Sequence, residues 1–248
     1  MRKLIAALAA TVVLSTSFFS FPGNAKAKTK PTPAFKISTL KQDSVVPADP
    51  AQQLYTAIDF SEGEKLNEEV FRKAMKGFEN LKKAGKLPAK AHILSICDFS
   101  LSSNAKRLWI IDTDSGKVLF NSLVAHGKNT GEEFATNFSN IENSLQSSMG
   151  FFITEDTYEG ENGYSLKLEG MDSGYNDAAM RRAIVMHGAD YVSPEFAARH
   201  KRIGRSWGCP AVPRELAEPI INTVKGKNCM FIYYPDQSYL ASSKWLNS

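Results

Sequence analysis

Residues that could do chemistry are concentrated in Gly204-Arg205-Ser206-Trp207-Gly208-Cys209-Pro210-Ala211. A cysteine framed by glycine and proline, beside serine and tryptophan and outside any alternating apolar pattern, is poorly explained as core packing. The two glycines allow close backbone approach and φ > 0, which other side chains resist. Twenty-two residues upstream, His187-Gly188 ends the apolar run Ala183-Ile184-Val185-Met186. A free thiol with a pKa of about 8.5 is mostly protonated at neutral pH, and an adjacent imidazole can take its proton to give a thiolate–imidazolium pair. Such a nucleophile also needs N–H donors facing the developing oxyanion. The amides of Trp207, Gly208 and Cys209 could supply them, Gly208 having no side chain in the way. The other histidines fit less well: His92 starts a strand, His200 lies in a basic solvated stretch, and His126-Gly127 ends a strand, where a histidine is usually structural. Cys and His at these spacings do not make a zinc site, which wants paired C-x₂₋₄-C or H-x₃₋₅-H ligands. No metal and no cofactor is expected.

Cysteine number supports the assignment of Cys209. The chain begins with Arg2 and Lys3, an apolar charge-free run from Leu4 to about Phe21, and the small-x-small site Ala25-Lys26-Ala27. That is the pattern of a secretory signal peptide over residues 1–27. A membrane anchor is the competing reading, since a span takes roughly 17–25 apolar residues. The Thr and Ser content of the run and the adjacent cleavage site favour removal. An exported protein, in the periplasm, cell wall or extracellular space, is expected, with no integral span after cleavage. Three cysteines are then an odd number. Cys97 and Cys229 lie in apolar strand-like runs and read as buried thiols or as each other's disulfide partner. Cys209 is left as the free, accessible one. Cleavage takes the formal charge from +4 to +1, because Arg2, Lys3 and Lys26 leave without an acidic residue. No clustered basic face remains that would suit nucleic acid.

The elements that must position these residues are mostly strands. Residues 28–52, rich in Lys and Pro, read as a linker. Leu66, Val70, Phe71, Ala74, Phe78 and Leu81 recur at helical spacing, with Asn67 as cap, Glu68 and Glu69 in the first turn, and Gly85 and Pro88 past the end. Seven short apolar runs follow: His92–Phe99, Arg107–Asp112, Lys117–Ala125, Gly150–Thr154, Tyr164–Leu168, Ala183–His187 and Cys229–Tyr234. Asp112-Thr113-Asp114-Ser115-Gly116 joins two of them as a hairpin-like turn. A mainly β sandwich or barrel is expected. One further helix fits after the cysteine, with Leu216, Ile220 and Val224 on one face, Pro219 kinking it or confining it to its second half. The folded domain is expected over 53–236, its helical N-terminal addition over about 53–87. The tail 237–248, with Tyr239 and Trp245, reads as surface packing.

His187-Gly188 followed by Ser206-Trp207-Gly208-Cys209 resembles the His-Gly … Ser-His-Gly-Cys signature of the L,D-transpeptidases with the YkuD-type fold. It is most similar to the murein L,D-transpeptidase branch reading Gly-Arg-Ser-Trp-Gly-Cys-Pro-Ala-Val-Pro, matched from Gly204 to Pro213. Val124-Ala125-His126-Gly127, Phe138-Ser139-Asn140 and Ser147-Ser148-Met149-Gly150-Phe151-Phe152 are similar landmarks of that branch. The resemblance, from about Leu66 to Tyr234, implies a YkuD-type β-sandwich or barrel-like catalytic domain. It implies a cysteine acyl-enzyme acting on peptidoglycan stem tetrapeptides, with release of D-Ala and a 3→3 cross-link. Cys209 would be nucleophile, His187 base and then acid, and the Gly188 carbonyl the orienter of the imidazole. Arg205 and Ser206 would shape the pocket, Arg205 pairing with a stem carboxylate, and Tyr191 would join them; a monomer is expected. Two positions depart from the common signature, Trp207 for histidine and Ala211 for arginine. The spacing from His187 to Cys209 is also longer, making Asp190–Arg202 an enlarged lid. Hydrolysis by an L,D-carboxypeptidase or peptidase is the first alternative, a non-catalytic wall-binding domain the second.

Overall fold

The computed structural model describes residues 49–61 and 63–248. The expected signal peptide and most of the expected linker lie outside the described residues. Helix α1, Pro50–Ala57, starts within the last residues assigned to that linker, with Asp49 capping it through Oδ1 to the Ala51 N–H at 3.1 Å. Proline at the first helical position is preorganised for this start. Helix α2, Glu68–Lys83, forms where the 3–4 spacing predicts. Asn67 Oδ1 accepts from the N–H groups of Glu69 and Val70, and the acidic first turn and basic last turn suit the helix dipole.

Eight strands follow the helical addition: β1 Ile93–Asp98, β2 Leu108–Asp112, β3 Lys117–Ser122, β4 Gly150–Gly160, β5 Gly163–Gly170, β6 Val185–Ala189, β7 Ala211–Pro213 and β8 Cys229–Tyr233. They form one sheet in the order β3-β2-β1-β8-β4-β5-β6-β7, parallel only at β1–β8 and β6–β7. Beyond β3, Ala125 bridges Ala211 of β7, so the two edges meet and the sheet is nearly closed into a barrel. All seven expected strands are present. β7 is the addition, three residues ending in proline and too short for a hydrophobic pattern to declare.

Two cores flank the sheet. On one face Leu94, Ile96, Trp109, Phe151 and Phe231 pack with α2. On the other Ile93, Cys97, Leu108, Phe152, Met230 and Ile232 pack with helix α4, Arg214–Val224. Cys97 and Cys229 point to opposite faces of neighbouring strands, and both are free and buried. Of the two readings open for them, buried thiols is the one the fold permits.

Two expectations are corrected. Pro219 does not confine α4 to its second half. The helix runs from Arg214, and Pro219 sits on its solvent face while Ala217, Ile220, Ile221 and Val224 are buried. The tail is not surface packing. It forms α5, Gln237–Ser242, and α6, Lys244–Asn247, which bury Tyr239, Trp245 and Leu246 in the first core. Asp172 holds α5 and α6, accepting from Ser243 Oγ at 2.6 Å and Tyr239 OH at 3.3 Å. Among the described residues no helix is long and apolar enough to cross a membrane.

Candidate active site

Parallel pairing of β6 and β7 sets the site. His187 stands opposite Ala211, and Cys209 precedes Ala211 by two residues, alongside the start of β6. The Cys209 thiol, partly exposed, faces the Ala183 carbonyl oxygen at 3.7 Å. Ala183 has φ 53°, a left-handed conformation that costs an alanine about 1 kcal/mol or more. On the next turn of the strand, His187 is buried, its Nδ1 3.1 Å from the Gly188 carbonyl oxygen. That contact makes Nδ1 the protonated nitrogen and leaves Nε2 as acceptor. Gly188 itself admits α4: a Cβ there would lie 2.7 Å from Ala217 Cβ.

Burial dominates the titration of both groups. It pushes the His187 imidazolium below its usual range, with the Gly188 carbonyl opposing and Arg214 assisting. Burial pushes the Cys209 thiol up, against the Val185 N–H and the Arg182 charge, which lower it. Both directions favour the uncharged forms, a protonated thiol and a neutral imidazole.

The turn is built from behind. Gly208 adopts φ 125°, and its carbonyl accepts from Ser147 Oγ at 3.1 Å, while the same hydroxyl accepts from the Gly127 N–H at 3.0 Å. A Cβ on Gly127 would come within 2.9 Å of Gly208 Cα. His126-Gly127 and Ser147-Ser148 thus form the wall against which the cysteine turn rests. His126 serves that wall: its Nδ1 accepts from Arg107 Nη2 at 2.8 Å, and burial plus the Arg107 charge hold it near 4, so it is neutral. Ser206 closes the turn rather than lining a pocket. Its Oγ donates to the Cys209 carbonyl at 2.6 Å and accepts from the Gly208 N–H at 3.1 Å. The Gly208 amide is thereby turned inward, whereas those of Trp207 and Cys209 meet no protein acceptor among the described residues. The Trp207 side chain is 78% exposed.

Arg205 is anchored through Nη1, which donates to the Lys128 and Gly131 carbonyls and to Glu132 Oε1 at 2.7 Å. Tyr191 packs on Gly204; its phenol is pushed up to about 12 by burial and then by the neighbouring Cys209. The loop from Asp190 to Arg202 contains helix α3, Pro194–His200, capped by Ser193. Arg182 escaped the sequence reading. Its guanidinium donates to the carbonyls of Ser139 and Gln146 and to Ser144 Oγ, tying the 139–148 loop beneath the turn. Its position directly before the strand that carries His187 was the available signal. Among the described residues no three His, Cys, Asp or Glu side chains converge as a metal would require.

The family profile of the L,D-transpeptidase catalytic domain (YkuD_2) matches residues 62–233. The chain belongs to this family. The match spans the sheet, the cysteine turn and α2, and the mainly β, barrel-like YkuD-type domain read from the motifs is the fold observed. Among solved structures, the chain is similar to an L,D-transpeptidase from Mycobacterium smegmatis at 12% identity and TM-score 0.36, covering 58% of this chain and 59% of that one. An L,D-transpeptidase from Stackebrandtia nassauensis matches at 14% identity and TM-score 0.36, over 70% and 69% of the two chains. A variant of the helical cell shape determining protein Pgp2 from Campylobacter jejuni matches at 15% identity and TM-score 0.39, over 66% and 57%. Curated proteins give no match.

Proposed function

We propose that this member of the family is an exported, cysteine-dependent peptidoglycan L,D-transpeptidase. One observation carries the reading: the β6–β7 register brings a partly exposed thiol beside the strand bearing a histidine whose Nδ1 is occupied, with Nε2 left to accept a proton. Cys209 Sγ attacks the carbonyl of the third stem residue as its proton passes to His187 Nε2. The oxyanion faces the N–H groups of Cys209 and Trp207, Gly208 keeping the turn in shape. Collapse breaks the C–N bond, and His187 returns the proton to the leaving D-Ala amine. The amine of a second stem then attacks the thioester, forming the 3→3 amide and restoring the thiol. The neutral resting pair suits this order, because the proton moves only when the carbonyl arrives.

Mass spectrometry of the protein incubated with disaccharide-tetrapeptides tests the proposal. A product lacking D-Ala is expected from wild type and not from Cys209→Ala, with a dimer mass marking aminolysis. Equal product from both proteins would refute a cysteine enzyme, and a hydrolysed tripeptide without dimer would replace transfer by carboxypeptidase action.

A further inference from the structure

A shallow cleft of about 330 Å³ opens next to the cysteine turn, lined by Lys128, Tyr191, Phe196, Arg202, Gly204 and Arg205. One wall is the 190–202 loop, with Tyr191 ahead of α3 and Phe196 in it. The other is the chain running into the turn, fixed by the Lys128 N–H to Ser206 carbonyl bond at 2.7 Å and the Gly204 N–H to Tyr191 carbonyl bond at 2.7 Å. Tyr191 links the cleft to the cysteine turn, its ring lying against Gly204, where a Cβ would come within 2.5 Å of Tyr191 Cδ2.

Three of the lining residues are cations. Arg202 and Arg205 share Glu132, at 2.9 and 2.7 Å, and both make further bonds to backbone carbonyls. Lys128 is exposed, and its ammonium has no partner among the described residues. Asp190, beside Tyr191, is held by Arg214 at 2.9 Å. The cleft therefore brings together an ammonium without a partner among the described residues, two aromatic side chains, and the chain that runs into the cysteine turn.

We infer that this cleft is a subsite for a free carboxylate of a stem peptide, with Lys128 as its cation and the Tyr191 and Phe196 rings packing on the adjoining aliphatic part. The inference rests on the transpeptidase reading and narrows it. It places the anion-binding role on Lys128 rather than on Arg205, whose Nη1 is held by Glu132 and by the Lys128 and Gly131 carbonyls. Two stem carboxylates share this chemistry, the C-terminal one of D-Ala and the side-chain one of a diamino acid at position three.

Calorimetric binding to the full-length Cys209→Ala protein tests it, using a tetrapeptide as free acid, as C-terminal amide, and amidated at the third side chain. An exposed ion pair is worth up to about 1 kcal/mol, or roughly fivefold in affinity. One of the two amides should bind about fivefold more weakly than the acid, which identifies the carboxylate. The added substitution Lys128→Ala should weaken acid binding by the same factor and abolish discrimination against that amide. Equal binding of all three peptides, or unchanged discrimination after Lys128→Ala, would overturn the subsite. D-Ala release by the Lys128-intact, Cys209-intact protein is measured alongside. Release without carboxylate discrimination removes only the subsite, whereas neither binding nor release removes the transpeptidase reading as well.

Discussion

Arg182 acts on Cys209 from beneath the turn, and its effect separates into charge and shape. The charge lowers a thiol that burial raises, and the planar fork holds Ser139, Ser144 and Gln146. Arg182→Gln should raise the thiol's pKa, slowing iodoacetamide alkylation of Cys209 at pH 7 by about 3- to 10-fold, the range of up to one pKa unit. Arg182→Lys should recover part of that rate. A pH–alkylation profile unchanged in Arg182→Gln would show that the charge does not reach the sulfur. His126 gives a stability prediction. Its folded pKa near 4 lies below the unfolded value of about 6.5, so the unfolded chain binds more protons between them. Stability from this residue is complete above about pH 6.5 and falls by on the order of 3 kcal/mol as pH drops past 4. Urea denaturation at pH 7 and pH 4.5 should show a smaller loss for His126→Gln than for wild type. Because Asp98 and Asp172 are pushed up by burial and run the opposite way in both proteins, only the difference is diagnostic. Cys209 and His187 stood out in the sequence because their types and neighbours are unusual, and the β6–β7 register brings their strands together. Arg182 did not, because its guanidinium's surroundings are set by the 139–148 loop and the cysteine turn, neither of which is near it in sequence.

At the level of elements, periodicity and capping carried most of the information. Asn67, the acidic first turn and the 3–4 spacing specify α2 almost to the residue. The proline rule misjudged α4, since at position 219 the ring faces solvent and the four buried residues hold the helix together. Gly77 shows what periodicity cannot convey. A glycine in mid-helix costs about 1 kcal/mol in propensity, yet here it lets α2 approach the sheet. A Cβ at Gly77 would fall 1.9 Å from Phe151 Cζ, in a ring stacked on Phe231 at 4.2 Å between centroids. Gly77→Ala should therefore destabilise the domain by about 1–3 kcal/mol from overpacking, despite the propensity gain. The exposed control Lys76→Ala should stay within about 0.5 kcal/mol of wild type. A Gly77→Ala midpoint at or above wild type would mean that α2 can move away from the sheet without loss.

Across the whole molecule, closure depends on contacts between distant parts of the chain. Ala125 meets Ala211 to join the sheet edges, and β8 inserts between β1 and β4 near the end of the sequence. Neither pairing has a local signature, so a β-rich class could be read but not the strand order. The tail misled the reading for the same reason, because six- and four-residue helices carry no periodicity. Tyr239 and Trp245 are fixed by partners some seventy residues back: Tyr239 OH on Asp172, and Trp245 Nε1 on the Met171 carbonyl at 2.7 Å. Asn80 of α2 also donates to the Trp245 carbonyl at 2.9 Å, so the tail clamps the helical addition to the sheet. Burying two large aromatics at about 25 cal/mol per Å² over roughly 150–250 Å² each contributes on the order of 8–12 kcal/mol. That matches the roughly 5–15 kcal/mol by which a whole domain is stable. Removing 237–248 should thus abolish the cooperative urea transition and expose the first core, read as binding of a hydrophobic dye at neutral pH. The milder Asp172→Asn variant, which keeps shape but weakens the acceptor for Ser243 and Tyr239, should still unfold cooperatively at a lower midpoint. If the truncated chain unfolded at the wild-type midpoint, α5 and α6 would be an ornament on a self-sufficient barrel. If Asp172→Asn alone abolished the transition, the buried carboxylate rather than the aromatic pair would be what holds the tail.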